Sequence, residues 1–146
     1  MTVPSRLSVA TIGARDIPAM RAFYERLGWT TNTKPGGDFA AFPLGGAVFC
    51  IFDMSALAGE AGSAEPPPAD LGFKGVTLSI NVDERADVDT ALAAAREAGA
   101  TVLAEPVDRD WGGCSAYFAD PEGNAWEIAW IPGASFDDRG ALIWPF

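Results

Sequence analysis

The stretch AWEIAW, Ala125–Trp130, holds one carboxylate, Glu127, inside an apolar run of strand character. It follows directly on the turn Asp120-Pro121-Glu122-Gly123-Asn124. A carboxylate inside such a strand must be hydrated, paired or protonated. Alternation says which way it faces: if Trp126, Ile128 and Trp130 pack inward, then Ala125, Glu127, Ala129 and Ile131 point to the opposite side. Three kinds of chemistry are open to an acid placed there. It can recognise a positive charge, it can serve as a general base, or it can be held by Thr77, Ser79 or Tyr117 and serve only architecture.

Other residue types narrow the field by their absence. The chain has no histidine, so no Ser/His/Asp or Cys/His device exists, and the commonest transition-metal ligand is missing. Neither GxGxxG nor GxxxxGK[ST] occurs, which leaves no phosphate-cradling loop. Cys50 and Cys114 stand far apart without CxxC spacing and form no cysteine metal motif or disulfide framework. Cys50, in AVFCIFD, reads as a packed small hydrophobe; Cys114, after Gly112-Gly113, is expected to be the more exposed thiol.

Twenty acidic against ten basic residues give a net charge of -10, which repels nucleic acid and anionic membrane surfaces. No apolar run is long enough to cross a bilayer, and MTVPSRLSVATIG lacks the pattern of a signal peptide, so the expected location is the cytoplasm. At 146 residues and 49% hydrophobic, the chain is expected to fold as one domain.

Glu127 must be positioned by elements that read as two similar halves. LSVATIG is a strand; Asp16 then caps a helix whose apolar face carries Met20, Phe23, Tyr24 and Leu27 and which stops at Gly28. GWTTNTK, DFAAFPLGG and AVFCIFD follow as three strands, giving the order βαβββ. SALAGEAGSAEPPPADLG shows no sustained periodicity and reads as a linker. The second half repeats the order: strand VTLSINV, a helix from about residue 84 to 98 with Val88, Leu92 and Ala95 on one face, then ATVLAEP, CSAYFAD and NAWEIAW. Shifted by 71 positions, Asp16 falls on Asp87 and Gly28 on Gly99; shifted by 77, Gly46 falls on Gly123 and Ile51 on Ile128. An internal duplication accounts for the shared order and the matched stops. The divisions are module one at 5–54, linker at 55–73, module two at 74–131 and a C-terminal tail at 132–146.

RDIPAMRAFYERLGW in the first half and YFADPEGNAWEIAW in the second resemble the two signatures of the glyoxalase, bleomycin-resistance and extradiol-dioxygenase group, the vicinal oxygen chelate superfamily. The resemblance implies an α+β fold, two βαβββ modules forming a curved mixed sheet around a cleft, with Glu127 on the cleft side. It also implies metal ligands at the first strand of each half and at the last strand. Glu127 matches the last of these, but the other positions fall at Val9, Cys50 and Thr77. One carboxylate and one thiol are too few for a tetrahedral or facial-triad site, so no metal and no cofactor is expected.

Within the implied cleft, alternation adds Thr11, Phe52, Ser79 and Tyr117, and Trp111 lies in the loop before the closing hairpin. An acid among aromatic rings suits a cationic or amine-bearing planar ligand, the logic of the family's drug-sequestering branch. The alternative is a metal-free lyase, isomerase or dioxygenase-like enzyme with Glu127 as general base. Arg109 and Asp110 read as a surface pair beside Trp111. The tail GALIWPF is expected to cover a strand or to meet a second copy in a homodimer rather than to touch ligand.

Overall fold

The structure, a computed structural model, describes residues 3–63 and 65–146. Met1 and Thr2 of the N-terminal stretch and Ala64 of the expected linker lie outside the described residues. In chain order the elements are β1 (Val9–Ala14), α1 (Ile17–Arg26), β2 (Phe39–Pro43), β3 (Val48–Asp53), α2 (Met54–Glu60), β4 (Thr77–Asn81) and α3 (Asp87–Glu97). They continue with β5 (Thr101–Asp108), β6 (Cys114–Ala119), β7 (Ala125–Trp130), β8 (Ser135–Phe136) and β9 (Leu142–Ile143).

The fold is α+β, built on curved mixed sheets. One sheet has the order β1-β3-β2, another β4-β7-β6-β5, and β8 and β9 form a short hairpin. In each of the two larger sheets the strand before the helix pairs parallel with the last strand, β1 with β3 and β4 with β7. The remaining pairings are antiparallel. Parallel partners need a long crossover, and α1 and α3 lie in those crossovers.

Local chemistry starts and stops the helices where the sequence places them. Asp16 Oδ1 accepts the Ala19 amide at 2.9 Å, a proline sits in the first turn of α1, and Gly28 ends the helix at a φ of 92° that other residues avoid. Helix α3 has no side-chain cap; Asp87 and Asp89 in its first turn and Arg96 in its last complement the helix dipole instead. Met20, Phe23 and Tyr24 of α1 and Val88, Leu92 and Ala95 of α3 are buried, as the periodicity predicts.

Two segments depart from the expected elements. GWTTNTK forms no strand, so the first sheet has three strands. Trp29 turns inward and stacks on Tyr24 at 5.3 Å, while Thr31 and Thr33 bond each other at 2.7 Å and Arg21 donates to Thr33. Threonine hydroxyls that satisfy local groups compete with a strand ladder. The segment read as a linker begins with α2, capped by Asp53, whose Oδ1 accepts the Ala56 amide at 2.9 Å. Its buried-residue periodicity is absent, which is why the pattern hides it.

The core is one cluster, rich in aromatic rings and centred on Tyr24, which meets Phe49 at 4.7 Å and Trp126 at 6.0 Å between centroids. The Tyr24 hydroxyl donates to Asp120 Oδ2 at 2.6 Å and accepts from Trp126 Nε1 at 3.0 Å. Burial, then the nearby Asp120 charge, pushes the Tyr24 phenol far above the ordinary tyrosine range. The other Asp120 oxygen accepts the Glu122 and Asn124 amides at 3.0 and 2.9 Å. Glu122 reaches the other half, where its carboxylate accepts the amides of Arg15 and Asp16 at the start of α1. Arg26 returns the contact, donating to the Ala98 carbonyl past the end of α3 at 2.8 Å. The Asp-Pro-Glu-Gly-Asn turn is therefore a clamp between the halves as well as a turn.

Replacing Tyr24 with Phe removes a donor to a buried carboxylate and an acceptor for a buried indole. We expect a loss of about 2–3 kcal/mol of stability, read from urea unfolding. An unchanged midpoint would show that the clamp does not hold the halves.

Candidate functional site

Glu127 stands at the centre of a row that crosses three strands. In the pairing register Ser79 of β4 lies opposite Glu127 of β7, and Tyr117 of β6 lies opposite it on the other side. Residues in one such row share a face and sit close enough to bond. Ser79 Oγ donates to Glu127 Oε1 at 2.9 Å, and the Tyr117 hydroxyl donates to Oε2. The Glu127 bond, ahead of burial and the Glu127 charge, raises the Tyr117 phenol above its ordinary range. Arg109 lies over the Tyr117 ring, 5.9 Å from its centre, held by a 2.8 Å bond to Ser115 Oγ. Among the described residues, no Lys or Arg forms an ion pair with Glu127.

The row floors a cavity of about 470 Å³ lined by Ser79, Asn81, Glu127 and Ala129, with Ile131, Trp111, Trp144 and Phe146 around it. Positions 79, 81, 127 and 129 alternate with Ile80, Trp126 and Ile128, which pack into or against the core. The rings reach this place by close backbone approach. A Cβ on Gly113 would lie 1.8 Å from the Trp111 ring and 2.3 Å from the Trp130 carbonyl, so only glycine lets that ring fold back. The tail is fixed by the β8–β9 hairpin, where Asp137 Oδ1 accepts the Arg139 and Ala141 amides at 2.9 Å each. That hairpin rests on Gly45, whose Cβ would meet the Arg139 and Gly140 carbonyls at 2.7 Å.

The expected site residues separate into two groups. Ser79, Trp111 and Glu127 line this cavity and Tyr117 joins them through its bond to Glu127; Val9, Thr11, Cys50, Phe52 and Thr77 do not line it. Val9, Thr11, Cys50 and Phe52 belong to the three-stranded sheet: Phe52 packs on Phe39 at 6.2 Å, Cys50 is buried, and Thr11 lines a different cavity. Burial raises the Cys50 thiol, with a smaller opposing effect from a bond to Thr11. Thr77 lies two residues before Ser79 and is exposed. Cys114, expected to be the more exposed thiol, is fully buried because β6 runs under α3.

Trp144 and Phe146, expected to cover a strand or a second copy rather than to touch ligand, are among the residues that line the cavity. Nothing in the period of a seven-residue tail discloses where a hairpin carries it. Asn81 and Ala129, by contrast, follow from the alternation that places Ser79 and Glu127.

The donor set does not fit a metal. Around Glu127 stand hydroxyls and an amide, and among the described residues no three His, Cys, Asp or Glu side chains converge. What the site offers is a fastened carboxylate beside aromatic rings, open to a positive charge or to a proton.

Comparison with known proteins places the fold. The Glyoxalase/Bleomycin resistance protein/Dioxygenase superfamily profile matches residues 6–128. A glyoxalase-related enzyme from Fulvimarina pelagi has a similar structure at 24% identity, with a TM-score of 0.86 over 98% of this chain and 100% of that one. A glyoxalase/bleomycin resistance protein/dioxygenase family enzyme from Burkholderia phytofirmans PsJN is 28% identical, with a TM-score of 0.72 over 87% of this chain and 99% of that one. A lactoylglutathione lyase from Agrobacterium tumefaciens is similar at 24% identity and a TM-score of 0.65, over 88% of this chain and 95% of that one. Comparison with curated proteins yields no match. With both signatures in place and the profile spanning both halves, this chain belongs to the Glyoxalase/Bleomycin resistance protein/Dioxygenase superfamily.

Proposed function

We propose that the protein binds a small planar molecule carrying one positive charge, and that it holds this ligand at Glu127 without chemical turnover. One observation carries the reading: a carboxylate fastened by two hydroxyl donors, with no cationic partner among the described residues, at the floor of a cavity edged by Trp111, Trp144 and Phe146. Ser79 and Tyr117 each occupy one carboxylate oxygen, so the acid is oriented before ligand arrives and little side-chain freedom is lost on binding. The indole and phenyl faces attract the same charge and cover the planar body. A net charge of -10 raises the local concentration of cations. A cytoplasmic location and a homodimer accompany this reading, the second through the half-exposed Ile143 beside the tail.

A second reading rests on the Tyr117 contact. Glu127 removes a proton next to a carbonyl in a bound substrate, exchanges it with solvent, and returns a proton at a neighbouring carbon, which isomerises the compound with no net change in composition. The pair differs in one readout: only the second takes up deuterium from D2O into a bound ketone.

Titration calorimetry with 2-(1-naphthyl)ethylammonium and its neutral counterpart 2-(1-naphthyl)ethanol tests the leading reading. Glu127→Gln is expected to weaken the cation by about ten- to hundredfold, the value of one hydrogen bond to a charged group, and to leave the alcohol unchanged. Equal effects on both probes would remove charge recognition.

Tyr117 gives a second test, since the chain has two tyrosines and Tyr24 is buried. The Tyr117 phenol, raised above its ordinary value, holds its bond to Glu127 below that raised point and loses it as pH rises through it. Tyrosinate absorbance should therefore appear at lower pH in Glu127→Gln than in the unaltered protein. A titration curve that does not move would mean the acid exerts no hold on the phenol.

A further inference from the structure

A second cavity, of about 250 Å³, lies in the seam between β1 and β4 and shares no lining residue with the one at Glu127. Ile12, Met54, Phe73, Val76, Leu78 and Ala125 make its wall apolar. The close approach is built in: a Cβ on Gly13 would lie 2.4 Å from Met54 Sδ, so glycine is what lets Met54 close one side. Arg15 bonds the Pro67 carbonyl through Nη2 and so ties the segment after α2 to the rim. Gly72 and Gly75, at φ of 76° and 75°, bracket Phe73-Lys74, and both residues of that pair border the cavity.

Among the described residues, Lys74 is the only cation on this wall. Its ammonium is half-buried and donates to Asn124 Oδ1 at 3.0 Å, and no carboxylate forms an ion pair with it among the described residues. Arg21, Arg85, Arg96 and Arg139 have acidic partners, so the Lys74 charge is not spent as theirs is. The acid that Asn124 touches, Asp120, is committed elsewhere: it takes the Tyr24 hydroxyl on one oxygen and the Asn124 amide nitrogen on both. Asn124 thus presents its oxygen to Lys74 and keeps the Asp120 charge one group away. The ammonium has further donors to give, and Lys74 borders an apolar hollow.

We propose that this seam is a separate binding site for a small apolar monocarboxylate, an aliphatic or aryl acid whose carboxylate pairs with Lys74 and whose body fills the hollow between β1 and β4. Its ligand has the opposite charge to the one held at Glu127. Apolar burial supplies the attraction and the single cation sets orientation, the usual division in small-molecule pockets.

The test is calorimetric titration with octanoate and with 1-octanol. Octanoate is expected to bind the unaltered protein at one site per chain. Lys74→Met, which keeps the stem and removes the charge, should weaken octanoate about tenfold or more and leave 1-octanol unaffected. Val76→Phe, at an exposed position on the rim, should fill the hollow and weaken both. Glu127→Gln should bind octanoate as the unaltered protein does. Octanoate that binds Lys74→Met with full affinity, that fails to saturate, or that is displaced by 2-(1-naphthyl)ethylammonium would overturn the proposal.

Discussion

The buried contact from Tyr24 to Asp120 and Trp126 is the constraint on which the molecule depends. It places a phenol of the first helix against a carboxylate at the start of the closing hairpin, with both groups shut away from water. A buried carboxylate without donors is costly, and here the phenol, two amides of the turn and the Asn124 side chain satisfy it together. The result fixes where β7 begins relative to α1. Since side chains on a strand alternate, fixing the start of β7 also fixes which face Glu127 takes.

From that register the site follows by geometry. Glu127 lies in a row between Ser79 and Tyr117, and the two hydroxyls hold its oxygens without supplying charge. The neighbouring cation, Arg109, is spent on Ser115 and on the Tyr117 ring. Both halves share the parallel pairing of first and last strands, yet they differ in chemistry: the position in the first half that corresponds to Glu127 is Cys50, which is packed and buried. Family membership fixes the scaffold, and the residues on it decide what is bound.

Much of this was legible in the sequence, and the reasons are physical. Helices α1 and α3 announce themselves because a period near 3.6 and a glycine stop are local signals, and the orientation of Glu127 follows from a period of two. GWTTNTK misleads because its alternation is real while its threonine hydroxyls and Trp29 find partners off the sheet. Helix α2 escapes because it buries no residue and so carries no stripe. The bonds from Glu122 to the start of α1 link positions more than a hundred residues apart, and the approach of Trp144 and Phe146 to Glu127 depends on a glycine turn in the other half. Contacts of that range leave no trace in local spacing.

In the proposed function Glu127 receives a positive charge between aromatic rings. A crystal structure of the protein with 2-(1-naphthyl)ethylammonium measures this most directly. The ammonium is expected within ion-pair distance of the Glu127 carboxylate and the naphthyl plane against Trp111 or Trp144. An ammonium lodged elsewhere, or a Glu127 side chain swung out of the cavity, would contradict it.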